Sequence, residues 1–406
     1  MQIPFAPPFI DDDVKQEVLD TLNSGWITSG PKVLALEKVV AESIGLEHVA
    51  CCNSATSGLM LLLHWYGVTK GDEVIIPVYT YAATALVVMH LGATPVMVDC
   101  DNDFNIDVDQ LRNKITERTK VIVPVDIAGW PCNYEAIIKV VKEESVLKKF
   151  SAQTEHQKKL GRIMVLSDAA HSYGAEYQNK KIGNWGDFSV FSFHAVKNMT
   201  TAEGGAMCIN LPAPFNRQEV YKQIKLWSLN GQNKDALAKT NGAGWKYDIV
   251  YPGFKMNMPD ICAAIGLAQA RKYYTLILPE RKRVFDEYVR LFSEHTWAEL
   301  PPMDNEEKKS SYHLFALRIK SISEQQRDEM INKITSYGVS VNVHFQPLPL
   351  LTIFKERKYS IKDYPNAYDN YSREISLPIY PQLDSEKIEF IVSSVVKAYQ
   401  SLMHHA

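Results

Sequence analysis

The sequence predicts an α/β protein: a large domain built on a mostly parallel sheet, followed by a smaller C-terminal α+β domain. Three observations carry that expectation. Over about residues 1–255, short β-branched runs that are apolar on both faces alternate with helical segments, the pattern of strands covered by helices on both sides. After Pro259 the order changes to helix, strand, helix, strand. A chain of 406 residues also exceeds what one simple core accommodates, which makes two domains, 1–255 and 256–406, the natural division.

The elements follow in order. Asp11 to Leu22 places Val14, Val18 and Leu22 on one helical face, with acids at its start and Gly25 to end it. A second helix, Val33 to Ile44, follows the turn at Gly30-Pro31. Strands are expected at Glu73–Ile76, Pro95–Val98, Lys120–Val125, Ile163–Leu166, Phe188–Phe193 and Ala206–Ile209. Helices between them are expected at Ser57–Tyr66, Ala82–Leu91, Val108–Ile115 and Asn133–Glu144. The polar stretch over 145–161 reads as a helix extension or a solvated surface excursion. In the smaller domain, strands are expected at Tyr312–Ile319 and Gly338–Val343, with helices at Ser323–Tyr337 and Ser385–Tyr399.

Composition excludes several classes. Hydrophobic residues make up 46% and charged residues 22%, and the formal net charge is −3, so neither a nucleic acid nor a membrane surface is indicated as partner. The six cysteines form no CxxC pair and no Cys/His cluster at ligand spacing, so no metal site is expected. Isolated in apolar segments, they read as small core residues in a reducing compartment. Val74 to Val98 lacks Asp, Glu, Lys and Arg, but Pro77, His90, Gly92 and Pro95 punctuate it as strand, helix and strand. With no basic, apolar leader at Met1-Gln2-Ile3-Pro4-Phe5, a cytoplasmic protein is expected.

Four segments put unusual residues at strand ends, where a parallel sheet presents its ligand. Asn53-Ser54-Ala55-Thr56-Ser57-Gly58 opens a helix with hydroxyls and small residues, either a phosphate site or a plain helix cap. Ser167-Asp168-Ala169-Ala170-His171 ends a buried strand with an acid. Such an acid needs a cation or donors, and a protonated pyridine nitrogen, a following helix or an internal arginine would each serve. Ala169 and Ala170 leave room for a flat ring, and His171 reads equally as a loop histidine. Phe191-Ser192-Phe193-His194-Ala195-Val196-Lys197-Asn198, followed by Glu203-Gly204-Gly205, places a lysine among apolar and glycine-rich flanks. Desolvation there favours the neutral amine that condenses with an aldehyde, and Ser192 is placed to donate to a phosphate. Finally, Tyr81 in the loop after Glu73–Ile76 could stack on a ring or pack in the core.

Together these segments resemble the DegT family of sugar-nucleotide aminotransferases, pyridoxal-phosphate enzymes of fold type I. The resemblance runs over nearly the whole chain, from Ser24-Gly25-Trp26-Ile27-Thr28-Ser29-Gly30-Pro31 to His313 and His344, and its most specific element is SFHAVKN…EGG following DAAH. It implies that Lys197 is the Schiff-base lysine and Asp168 the partner of the pyridine nitrogen. Tyr81 and Ala170 would sandwich the ring, with His171 beside its phenolic edge. Thr56, Ser57 and Ser192 would bind the phosphate, and Asn257 would reach the phosphate of a neighbouring subunit, making an obligate homodimer. Trp26 and His344 are the implied substrate contacts. Gly58, Ala55, Pro259 and Asn257 depart from what relatives often carry, and these departures bear on substrate and interface more than on the cofactor.

The resemblance implies transfer of an amino group, from L-glutamate as donor, to a nucleotide-linked keto sugar. The favoured acceptor position is C4 of a UDP- or dTDP-4-keto-6-deoxy sugar, for glycan or polysaccharide precursors. Two rivals share the fold: a pyridoxal-phosphate sugar dehydratase or deoxygenase, in which histidine typically replaces the lysine, and a non-catalytic regulator.

Overall fold

The computed structural model describes residues 1–234 and 246–403. At its centre lies a seven-stranded sheet. Its strands are β1 (Val49–Cys52), β2 (Glu73–Pro77), β3 (Thr94–Val98), β4 (Thr119–Ile122), β5 (Met164–Asp168), β6 (Phe188–Ser192) and β7 (Gly205–Ile209). They lie in the order β1-β7-β6-β5-β4-β2-β3. β2 pairs parallel with β3 and β4, β4 with β5, and β5 with β6, whereas β7 runs antiparallel to both neighbours. The expected mostly parallel sheet is therefore present. Apolar side chains from both of its faces enter two cores, one around Leu62, Ile76 and Val190 and one around Leu36, Ile75 and Phe191.

β1 has no counterpart in the sequence reading. Val49-Ala50-Cys51-Cys52 is four residues long with a single β-branched side chain, so periodicity is silent. It becomes a strand because all four residues are buried against β7. The polar stretch over 145–161 is docked more closely than a solvated face. It folds as two short helices, Glu144–Lys149 and Glu155–Leu160. From the second, His156 stacks on Trp65 at 4.0 Å and the buried Gln157 donates to the Tyr66 carbonyl at 3.0 Å.

The smaller unit is an antiparallel sheet of β8 (Ala298–Glu299), β9 (Phe315–Ile319) and β10 (Glu374–Leu377), in that order. Helices Leu278–Phe292, Glu324–Ser336 and Ser385–Met403 pack with it around a third core. The strand expected over 338–343 is absent. Gly338 leaves the preceding helix at φ +95°, and the segment makes only single bridges, Val339 to Ile3 and Asn342 to Ser376. β10 takes the place beside β9 instead.

The helix Asp260–Ala270 falls on the small-domain side of the expected boundary at residue 255, yet it packs against the helices Asp12–Asn23 and Pro31–Ile44. Ala263, Ala270, Tyr273 and Ile277 share a core with Leu36 and Val40, whereas Val284 and Phe285 enter the third core. On this packing we propose a division near Leu278.

One residue ties that helix to the rest. Asp260 is 1% exposed. Its carboxylate accepts from the backbone N–H groups of Gly30 (2.8 Å), Lys32 (3.1 Å) and Val33 (3.0 Å). Helix Pro31–Ile44 begins at Gly30, which has no side chain to cap it, so Asp260 caps it from across the chain. Asp260→Ala strands three helix-start donors, two of them buried, and should lower unfolding stability by about 1–3 kcal/mol. Urea unfolding checks this, and an unchanged midpoint would remove the cap from its role.

Candidate active site

The C-terminal ends of the parallel strands meet at one cavity of about 460 Å³, where doubly wound sheets hold their ligands. After β1 comes the helix Ala55–Tyr66, which brings Ser54, Ala55 and Thr56 to the wall. The turn after β2 contributes Thr80, Tyr81 and Thr84, β5 ends in Asp168, and the loop after β6 carries Lys197. The smaller unit closes the far side with His313, His344 and Phe345, and Phe5 joins them from the chain's start.

Asp168 is 6% exposed. Thr84 Oγ1 donates to its Oδ2 at 2.8 Å and the Ala170 N–H to its Oδ1 at 3.3 Å. Thr84 Oγ1 in turn lies 2.9 Å from Thr80 Oγ1. Burial pushes the carboxyl upward, opposed by these two donors and by the charge of Lys197. Asp168 has no ion-pair partner among the described residues.

The Lys197 amine also lacks a hydrogen-bond or ion-pair partner among the described residues. It opens onto the cavity while protein surrounds it, and this desolvation lowers its pKa to about 8, against the opposing pull of Asp168. A free amine with a useful neutral fraction near neutral pH is what condensation with an aldehyde requires.

The helix start is shaped for an anion. Ser54 Oγ accepts from the Ser57 N–H at 3.1 Å and donates to Ser57 Oγ at 2.9 Å. The Ala55 and Thr56 amides of the first turn have no acceptor among the described residues, and they are donors that favour a phosphate. Gly205 permits this approach, since a Cβ there would lie 2.7 Å from the Ala55 nitrogen. Ser192 lines the same cavity.

His171 accepts from the Ala128 N–H at its Nδ1 (3.3 Å), so its proton sits on Nε2. Its ring lies 4.3 Å from that of His313. Burial drives both histidines far below their ordinary pKa, with Lys197 adding to the effect. Both are therefore neutral.

Of the residues singled out in the sequence, Thr56, Tyr81, Asp168, Ala170, His171, Ser192, Lys197 and His344 line this cavity. Ser57 stands one position beyond its rim, in contact with Ser54. Trp26 and Asn257 form a separate cluster, in which Trp26 Nε1 donates to the Ser29 carbonyl (3.2 Å) and Asn257 Nδ2 to Ser29 Oγ (2.6 Å). Sequence reasoning missed Thr84, Phe5 and Phe345 as wall residues. A hydroxyl one helical turn after Thr80 was the available signal for Thr84, whereas only the fold brings the two phenylalanines here.

Residues 8–396 match the DegT/DnrJ/EryC1/StrS aminotransferase family, and the chain belongs to that family. Membership makes it a pyridoxal-phosphate-dependent aminotransferase of fold type I. A Streptococcus pneumoniae protein termed a sugar aminotransferase, Spr1654, solved in its PMP form, is 41% identical, with 98% of this chain and 100% of that one covered at a TM-score of 0.94. The UDP-4-amino-4-deoxy-L-arabinose–oxoglutarate aminotransferase of Shewanella sediminis is 32% identical, with 97% of each chain covered. The UDP-4-amino-4,6-dideoxy-N-acetyl-beta-L-altrosamine transaminase of Helicobacter pylori is 31% identical, with 98% of each covered. The cavity suits the cofactor: an unpartnered amine, a buried acid without a cation and free helix-start amides are separate complements to its aldehyde, ring nitrogen and phosphate.

Two outcomes test this geometry. Thr84→Val removes a donor to Asp168 and should weaken retention of pyridoxal phosphate by about ten- to a hundredfold, on the scale of a hydrogen bond to a charged group. Titration of the cofactor-free protein measures it. Uptake of the cofactor should accelerate as pH rises through about 8, because Lys197 loses its proton there. A rate that is flat across that range would remove the lowered basicity from the explanation.

Proposed function

We propose that this enzyme moves an amino group from L-glutamate to C4 of a UDP- or dTDP-linked 4-keto-6-deoxy sugar, with Lys197 holding the cofactor covalently between turnovers. The observation that carries the reading is the pairing, within one cavity, of the unpartnered Lys197 amine and the buried Asp168 carboxyl. The relatives support the donor and the acceptor: one is named for oxoglutarate, the keto acid that glutamate leaves behind, and both are named for 4-amino sugars on UDP.

Pyridoxal phosphate, when bound, supplies the aldehyde and the electron-withdrawing ring that carry the amino group between substrates. Asp168 would keep the ring nitrogen protonated, and Thr84 orients that carboxyl. Lys197 would hold the cofactor and, when its amine is free, its Nζ would take up and give back the proton of the substrate carbon. The Ala55 and Thr56 amides bind the phosphate together with Thr56, Ser57 and Ser192. Ser57 Oγ accepts from Ser54, which leaves its own proton to donate. Tyr81 and Ala170 would flank the ring, and His171 would offer its Nε2–H to it.

Tyr81 is 63% exposed and Val196 40% exposed, both at the cavity. Apolar exposure around a reactive centre fits a second subunit seated there, and we propose a homodimer in which Asn257 serves the partner's phosphate. Trp26 belongs to the same cluster and His344 faces the sugar.

The test is a panel of UDP- and dTDP-linked 4-keto sugars offered with glutamate, with amino sugar and oxoglutarate measured together. Lys197→Ala should lose turnover by at least about a thousandfold and also the visible absorbance of covalently held cofactor. Ketone left without amine across the whole panel counts against the assignment, and a Lys197→Ala enzyme that still transaminates removes that residue from its role.

A further inference from the structure

Behind the cavity wall, β10 carries two polar side chains the mechanism does not use. Ile375 and Leu377 enter the small core, so Glu374 and Ser376 occupy the other face of the strand, which meets His344. Glu374 is wholly buried. Its Oε2 accepts the backbone N–H of His344 at 3.1 Å, and its Oε1 lies 2.5 Å from Ser376 Oγ. Ser376 Oγ lies 2.9 Å from His344 Nδ1. His344 Nε2 has no partner among the described residues and retains accessible surface where the ring lines the cavity.

Each gap in this chain holds one proton, so two arrangements satisfy every link. With Glu374 ionised, Ser376 donates to Oε1, His344 Nδ1–H donates to Ser376, and Nε2 presents a lone pair. With Oε1 protonated, that proton is donated to Ser376 and the Ser376 hydroxyl is donated to Nδ1. Nε2 must then carry the ring's only proton. The two arrangements differ by one proton exchanged with solvent, and the imidazole is neutral in both.

We propose that Glu374 and Ser376 are positioning residues that set the tautomer of His344. The cavity wall then offers an N–H donor while Glu374 is protonated and an acceptor once it is ionised.

The surroundings agree. Burial raises the Glu374 carboxyl to about 8, outweighing its hydrogen bonds and the attraction of Arg327 and Arg318. Burial lowers His344 to about 3, with Lys197 contributing. Arg327 Nη1 donates to the Glu374 backbone carbonyl at 3.1 Å, and Arg318 lies opposite Glu374 across β9 and β10. Arg318 is paired with Glu299, and Arg327 with Asp328. Tyr79, also beside Glu374, donates its hydroxyl to the His344 carbonyl at 2.9 Å. On the cavity side His344 faces His171 and His313, both neutral, and Lys197. The donor setting therefore holds near neutral pH. That this donor meets an oxygen of the sugar rests on the proposed function; the tautomer itself does not.

Magnetic resonance of the holoenzyme with isotope-labelled histidine reads the ring nitrogens directly, and the His344→Gln spectrum identifies the signal. The wild type should show an Nε2–H ring at about pH 6 and an Nδ1–H ring at about pH 10. Glu374→Gln should keep the Nε2–H ring throughout, because its amide donates to Ser376 as the protonated acid does. Ser376→Ala should break the dependence. A wild-type ring that keeps one tautomer, or a Glu374→Gln ring that still switches, overturns the proposal. In turnover, the wild-type KM for the nucleotide sugar should rise about three- to tenfold above about pH 8 relative to Glu374→Gln, on the scale of one hydrogen bond. The KM for glutamate should match in the two enzymes. A switching tautomer with an unaltered sugar KM would overturn only the sugar contact.

Discussion

The architecture turns on withholding water from one amine. Lys197 sits in a loop, yet its surroundings lower its basicity to about 8. No local feature of that loop accomplishes this alone. It requires β5 and β6 side by side, so that Asp168 ends one strand while the lysine follows the other, and it requires the smaller unit to close the far wall with His313, His344 and Phe345. Removing charge from water is expensive. The fold meets that expense with Thr84 and the Ala170 amide on the acid and leaves the lysine with no hydrogen bond among the described residues, only the more distant pull of Asp168. The reactive group is the one the protein declines to satisfy.

Most of the sheet was legible in the sequence because buried parallel strands write themselves as continuous apolar runs; Glu73–Ile76 and Ile163–Leu166 are recognisable at once. β1 was not, because four residues containing two cysteines have no periodicity, and only burial against β7 makes them a strand. The region over 338–343 failed for the opposite reason. Its alternation imitates a strand, but Gly338 turns the chain towards the cavity wall, and β10, opening with a glutamate, takes its place. Local pattern reports what a segment tolerates, whereas the neighbouring strand decides what it becomes.

The site divided in the same way. Lys197, Asp168 and the Ser54–Ser57 segment stand out because each is an unusual residue type at a strand end, a signal carried by the residue and its immediate flanks. Thr84 did not stand out, since a threonine in an apolar helix is ordinary until Asp168 is found above it. Phe5 was invisible as a site residue because it lies ahead of the first helix, far in sequence from every strand end. The KKFSAQTEHQKKLGR stretch was misjudged through its charge: Gln157 and His156 lie on its inner side, and composition does not report which side faces in.

Ile3 donates its N–H to the Gly338 carbonyl at 2.8 Å, and two positions later Phe5 stacks on His344 at 5.4 Å between ring centres. A segment ahead of the first helix thus fastens the smaller unit and finishes the pocket in a single pass. Anyone trimming the chain back to Asp11, where recognisable pattern begins, would delete a tether and a piece of wall together, and the resulting enzyme would differ in how its two halves are held as well as in what it binds.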